Sequence, residues 1–242
     1  MSWEEMMNYP EMAPFIQSLE EAFGKPSDYS GVDQGIVGHE MDHAPPFFER
    51  YLRSLVLEHS NLGNYTMAIA LLDELIACNP DSAMDYNNRG LMYFNCGEYD
   101  QALADYNQAI ALNPRLDSAY NNRANCYIAQ GQLADAIADY QIALDFNPAN
   151  WRAWINQGIT YRDMGLYDLA IENFDLVLVL GKRLKARSYG ERGRTYHLRG
   201  DWNLAMGDYQ RALESLSNTL PSRRYRKQIQ QWLEELLNPM TA

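Results

Sequence analysis

The chain has 242 residues, 47% of them hydrophobic, and a formal net charge of −12 from 32 acids and 20 bases. An acidic surface repels duplex phosphates, which argues against nucleic-acid binding, and no apolar run is long enough to span a bilayer. Three cysteines, odd in number and without a CxxC pair, suit a reducing compartment rather than a disulfide framework. The acidic opening Met1-Ser2-Trp3-Glu4-Glu5 lacks the basic and apolar regions of a secretory signal, so the expected location is cytoplasmic.

Residues 1–23 predict an N-terminal helical extension. Ser2-Trp3-Glu4-Glu5 fits a capping box, and Phe15, Leu19 and Phe23 form a stripe that Gly24 and Pro26 terminate. Residues 24–45 hold Gly31, Gly35, Gly38 and Pro45 with little periodicity, and read as a linker or functional loop. Within it, His39-Glu40-Met41-Asp42-His43 fits H-E-x-x-H, which on a helix would place two His on one face for Zn²⁺ and leave Glu40 as general base. Gly38 before it and Pro45-Pro46 after it leave little helix to hold such a site. Asp42 falls on the face that would be buried, and no third ligand is near. The expectation is therefore no metal and no catalysis, with a zinc hydrolase as a remote alternative.

From residue 46 to 217 the chain repeats itself. Aligned without a gap, residues 83–116 and 117–150 share 13 identities, among them Tyr86-Asn87-Asn88-Arg89 against Tyr120-Asn121-Asn122-Arg123. Each repeat resolves into two amphipathic helices: Tyr86, Gly90 and Tyr93 share a face of the first. Gly97, Gly131, Gly165 and Gly200 end the first helix of each repeat, where positive φ is wanted, and Pro80, Pro114 and Pro148 stop the second. Glycine inside a helix costs roughly 1 kcal/mol against Ala, so Gly90 and Gly158 predict close approach of the second helix, with its small Ala102 and Ala170. Cys126 falls on a packed face, Cys96 near a helix end, and Met92, Met164 and Met206 read as core or near-core filler. Such self-similarity predicts an all-α solenoid with repeats at 49–82, 83–116, 117–150, 151–184 and 186–217.

Residues 218–242 predict a capping helix and tail. Tyr225, Ile229, Trp232 or Leu233, and Leu236 line one face, with Arg223, Arg224 and Lys227 outside. Bases at its start and Glu234-Glu235 at its end oppose the helix dipole, so Arg223, Arg224, Arg226 and Lys227 either pair with acids of the last repeat or answer to a partner. Residues 182–227 carry 12 bases against 4 acids, whereas 1–181 carry 8 against 26. That asymmetry supports a second reading: a regulatory subunit docking an acidic protein, an anionic surface or nucleic acid through its basic C-terminal third.

The repeated aromatic, Gly or Ala, Tyr, then Ala, aromatic, Ala and Pro resembles the tetratricopeptide repeat over residues 49–217. Residues 83–116 supply Tyr86, Gly90, Tyr93, Ala102, Tyr106, Ala109 and Pro114. Residues 117–150 supply Tyr120, Ala124, Tyr127, Ala136, Tyr140, Ala143 and Pro148. The fourth repeat departs at Val177 and Lys182, and the first has Val56 and His59 where Gly and Tyr belong. The resemblance implies a right-handed solenoid of five repeats and a non-catalytic adaptor or assembly factor that holds a protein segment in a concave groove, without a cofactor.

In that family the first helix of each repeat lines the groove. Asn88, Asn122 and Asn156 occupy one repeat position there, so their amides would form a ladder able to hold the N–H and C=O groups of an extended peptide. At about 1 kcal/mol per bond, six such bonds support only weak binding once ordering costs are met. Neighbouring Asn87, Asn121, Asn125, Arg152, Arg162 and Arg187 are the candidates for added affinity, with Arg152 and Arg187 attracting acidic side chains. The alternative is that Asn here is merely common repeat vocabulary. The family's carboxylate clamp for Hsp70/Hsp90 C-termini finds Asn125, Asn156 and Arg187 in register. Asn121 stands where Lys is expected and Glu191 where Arg is expected, so that partner is not anticipated. A further expectation is that residues 1–45 either cap the first repeat or place Trp3, Phe15 and Phe23 in the groove until a partner displaces them.

Overall fold

The computed structural model describes residues 46–180, 184–217 and 219–237, with only the backbone at 46–48, 180, 220 and 221. Every regular element among them is an α-helix. In chain order these are α1 (Pro46–Asn61), α2 (Tyr65–Cys78), α3 (Ala83–Cys96), α4 (Tyr99–Leu112), α5 (Asp117–Ala129) and α6 (Leu133–Phe146). They continue as α7 (Trp151–Asp163), α8 (Tyr167–Leu180), α9 (Lys185–Arg199), α10 (Trp202–Ser215) and α11 (Leu220–Leu237). The predicted N-terminal extension and linker lie outside the described residues.

The hairpins form for the reasons visible in the repeat. Gly63, Gly97, Gly131, Gly165 and Gly200 all have positive φ, between 75° and 95°, a conformation open to glycine at little steric cost. Each turns the chain from a first helix into a second. The second helices of the first three hairpins stop at Asn79, Asn113 and Asn147, immediately before Pro80, Pro114 and Pro148. The Ser82 and Asn150 side chains cap the following helices by accepting from the backbone N–H of Asp85 and Ala153.

Five hairpins stack in sequence, each helix packing on the next, and the first helices of successive hairpins also touch: α3 on α5, α5 on α7, α7 on α9. The core is accordingly a chain of small clusters, several of which reach one helix into the next hairpin. Leu52 and Leu72 meet Met92 of α3, and Tyr120 and Tyr140 meet Ala153 of α7. Nearest-neighbour packing of this kind is what makes a solenoid.

α11 covers the last hairpin, as expected of a cap. Ile229 and Leu236 are buried against Ala205, Tyr209 and Ala212 of α10, with Tyr225, Trp232 and Leu233 around them.

One expectation is refined and one corrected. The group nearest Gly90 is the ring of Tyr106, which a Cβ there would meet at 2.8 Å, with the Ala102 carbonyl at 3.2 Å; at Gly158 it is Phe174. The aromatic of the second helix comes closer to the glycine than its alanine does. Met92 is buried and Met206 half-buried, but Met164 is exposed. It sits at the C-terminal end of α7 beside the turn, beyond the packed part of the helix.

Candidate functional site

The asparagine row lies where first helices meet. Asn122 Nδ2 on α5 donates to Asn87 Oδ1 on α3 at 3.0 Å, and Asn156 Nδ2 on α7 donates to Asn125 Oδ1 on α5 at 3.2 Å. Within a helix, Asn87 Nδ2 donates to Asn88 Oδ1 and Asn121 Nδ2 to Asn122 Oδ1, at 3.5 and 3.1 Å. The hydroxyl of Tyr140 also donates to Asn125 Oδ1, at 2.6 Å. Asn87 and Asn121 are buried, whereas Asn88, Asn122, Asn125 and Asn156 are half-buried. Part of the ladder's capacity is therefore spent between hairpins. Each amide still has donors or lone pairs over, since one side-chain amide offers two N–H donors and two acceptor sites.

The row ends in a carboxylate. Glu191 on α9 holds the repeat position of Asn88, Asn122 and Asn156, and it is buried. Arg162 Nη1 donates to Glu191 Oε2 at 2.8 Å, and Arg162 Nε donates to Asp163 at 3.1 Å. The Tyr225 hydroxyl of α11 lies 3.1 Å from Glu191 Oε1 and 3.2 Å from the Arg187 carbonyl, and shares its proton between them. Burial and the Glu191 carboxylate push the Tyr225 phenol well above its ordinary pKa, so the ring stays neutral. Gly190 makes this seat possible: a Cβ there would come within 2.3 Å of the Tyr225 oxygen. Beside the pair opens a cleft of about 780 Å³ between α7, α9 and α11, whose wall includes Ile159, Arg162, Leu184, Arg187, Leu216 and Trp232.

The predicted cations are not equivalent. Arg152 and Arg187 are exposed, and neither guanidinium has an ion-pair partner among the described residues. Arg162 is committed to Glu191, so the affinity expected of it for an incoming segment is largely spent within the fold; the same ion pair and the Tyr225 hydroxyl engage the Glu191 carboxylate. Arg223, Arg224 and Lys227 are exposed on α11, and none of them pairs with a described acid. Arg226 donates to the Leu216 carbonyl at 3.2 Å. The anticipated pairing of this patch with acids of the last repeat is thus absent among the described residues. The acid that does engage α10's neighbour is Glu235, which accepts from Arg194 at 2.7 Å. His39-Glu40-Met41-Asp42-His43, Trp3, Phe15 and Phe23 lie outside the described residues.

Sequence reasoning missed a second column. Arg89 donates to both oxygens of Asp105, at 2.7 and 2.8 Å, and to Asp73 of the preceding hairpin at 2.6 Å. Arg123 does the same with Asp139, at 2.7 and 2.8 Å, and reaches Asn107 at 2.6 Å. Arg192 binds Asp208 and touches Asp175. Each guanidinium also lies between two tyrosines one turn away, as Arg123 does between Tyr120 and Tyr127 with ring centroids 5.5 and 5.9 Å off. Bidentate pairing and ring stacking both exploit the planar guanidinium. The signal was present, because Arg89, Asp105 and their partners are among the repeated identities. The fourth hairpin differs: Gln157 and Asn173 stand in these places, joined by one bond of 2.9 Å.

A stack of helical hairpins with a polar row along its inner helices defines a repeat scaffold that presents an extended surface. Sequence profiles described as tetratricopeptide repeat match residues 83–116 and 118–150, and residues 152–224, together more than half of the chain. The chain belongs to the tetratricopeptide repeat family. A thermophilic TPR protein of Thermus thermophilus is similar at 21% identity and a TM-score of 0.65, over 75% of this chain and 98% of that one. MamA from Desulfovibrio magneticus is similar at 17% identity and 0.58, over 69% and 93%. YrrB, described as a TPR protein with an unusual peptide-binding site, is similar at 17% and 0.53, over 73% and 90%. These likenesses are of fold. A search of curated proteins gave no match. Among the described residues, no helix is long and apolar enough to cross a membrane.

Proposed function

We propose that this chain is a non-catalytic adaptor or assembly factor that holds a protein segment against the inner faces of α3, α5, α7 and α9. The observation that carries this reading is the row Asn88, Asn122 and Asn156 with amide valence unspent, running toward a cleft at whose wall the Arg187 guanidinium has no ionic partner among the described residues. Amides bind backbone without regard to sequence, and Arg152 and Arg187 select acidic side chains near the C-terminal end. The expected setting is the cytoplasm. Neither a cofactor nor a chaperone C-terminus is part of this reading.

Arg223, Arg224 and Lys227, exposed and without an acidic partner among the described residues, favour one alternative, docking of an acidic partner on α11. Affinity capture from an extract of the source cells separates the two. A partner lost with Asn88→Ala/Asn122→Ala/Asn156→Ala and kept with Arg223→Glu/Arg224→Glu/Lys227→Glu supports the groove. The reverse pattern moves the surface to α11, and a partner kept by both variants removes both readings.

A further inference from the structure

The cleft at the C-terminal end of the groove has two chemical demands. Ile159, Leu184, Leu216 and Trp232 offer apolar surface, and Arg187 stands beside them with its charge unmet among the described residues. A volume of about 780 Å³ is within the range of sites that enclose several side chains. The occupant that fits is a short segment with apolar side chains next to carboxylates.

This chain carries such a segment. Residues 1–45 hold nine acids and one base, and within them Phe15, Leu19 and Phe23 flank Glu20 and Glu21. The charge is opposite to that of residues 182–227, with 12 bases and 4 acids. Reach is sufficient. The first helices of successive hairpins pack about 8–10 Å apart, so the four steps from α1 to α9 amount to about 40 Å. The 22 residues from 24 to 45 span up to about 75 Å when extended. Tethering gives the segment a high effective concentration, so modest intrinsic affinity is enough to fill the site.

We infer that residues 15–23 of this chain dock in its own cleft between α7, α9 and α11, with Glu20 or Glu21 against Arg187, and act as an internal competitor for the groove. This inference rests on the groove-binding function above and adds its regulation: a partner must displace the acidic segment before it reaches Arg187.

The test uses the full chain with a photo-crosslinking phenylalanine in place of Leu19, irradiated at low concentration and mapped by mass spectrometry. The expected product is an intrachain crosslink to peptides containing Leu216 or Trp232. It should fall several-fold in 1 M salt, where the Debye length is about 3 Å. It should also fall with Arg187→Glu and with Glu20→Arg/Glu21→Arg, and return when the two changes are combined. Arg187 is exposed, and an unchanged circular dichroism spectrum and melting temperature show that these variants fold. Crosslinks between two chains would make a second copy the occupant and overturn the inference. So would crosslinks elsewhere, none, or yields that ignore both charge reversals. If the crosslink fails while partner capture still depends on Asn88, Asn122 and Asn156, the internal competitor falls and the groove function stands.

Discussion

Arg192 and Asp208, 16 residues apart on α9 and α10, meet through two parallel hydrogen bonds, Nε to Oδ2 at 2.6 Å and Nη2 to Oδ1 at 2.9 Å. Asp208 is buried, and its side chain is 1% exposed against 16% for Arg192. Burial opposes the charged guanidinium, but the Asp208 and Asp175 carboxylates outweigh it and raise the arginine pKa. The guanidinium therefore stays charged, and its two bonds tie together the two helices of the hairpin.

Removing Asp208 leaves Arg192 with only the half-exposed Asp175 and Arg211 without its carboxylate, so the cost falls toward the lower end of the about 3–5 kcal/mol of a broken buried pair. Asp208→Ala should lose that much in urea unfolding. Arg192→Met/Asp208→Leu should recover most of it, because desolvation offsets much of the attraction in the native pair. A double variant no better than the single one would mean that the pair contributes net stability as an ion pair.

The fourth hairpin offers the natural contrast. Gln157 and Asn173 are buried and joined by one neutral bond at 2.9 Å, and Gln157 Nε2 donates to no atom among the described residues. Asn173→Asp alone would bury a carboxylate opposite an amide, at a cost of about 1–3 kcal/mol. Gln157→Arg/Asn173→Asp should restore or exceed the original stability, measured as a double-mutant cycle.

Gly190 makes a sharper steric prediction. Ala124 already occupies the repeat position of Gly90, Gly158 and Gly193, opposite the Tyr140 ring, so that position tolerates a methyl group. Gly190→Ala instead meets the Tyr225 oxygen at 2.3 Å, and the ring cannot yield without breaking its bond to Glu191. It should cost about 1–3 kcal/mol and loosen α11, seen as faster hydrogen exchange across 220–237. Gly90→Ala should cost less than Gly190→Ala in the same assay.

The helices, their stops and the cap were legible because each depends on local chemistry: glycine at positive φ, proline after Asn79, Asn113 and Asn147, and the stripe of Tyr225, Ile229 and Leu236. The Arg–Asp column was visible as repetition but not as contact, since a 16-residue spacing acquires meaning only once two helices fold back on each other. The asparagine row was visible as a shared repeat position, yet its internal bonds were not foreseeable. Whether Asn122 faces a ligand or Asn87 depends on the separation of α3 and α5, which no single repeat encodes. The cleft was hidden for the same reason. It needs α7, α9 and α11, and only Glu191, breaking the row of asparagines, marked the place.

The cysteines report how the interior opens. Cys126 is fully buried against Ala102 and Tyr106, whereas Cys96 is exposed at the end of α3. Burial pushes the Cys126 thiol up to about 12, against about 8.5 in an unfolded chain. The folded pKa is the higher, so this thiol's contribution is fully present below about pH 8.5 and is lost as the pH rises toward 12, by up to about 1.4 kcal/mol per unit. Cys126→Ala should flatten the fall in stability between pH 9 and 11, although the buried Tyr106 and Tyr140 phenols, also raised by burial, will keep part of it. At pH 8, iodoacetamide should modify Cys96 first and Cys126 only at the rate at which the contact between α4 and α5 opens, followed by mass spectrometry. Equal rates at the two thiols would show that this contact opens without global unfolding.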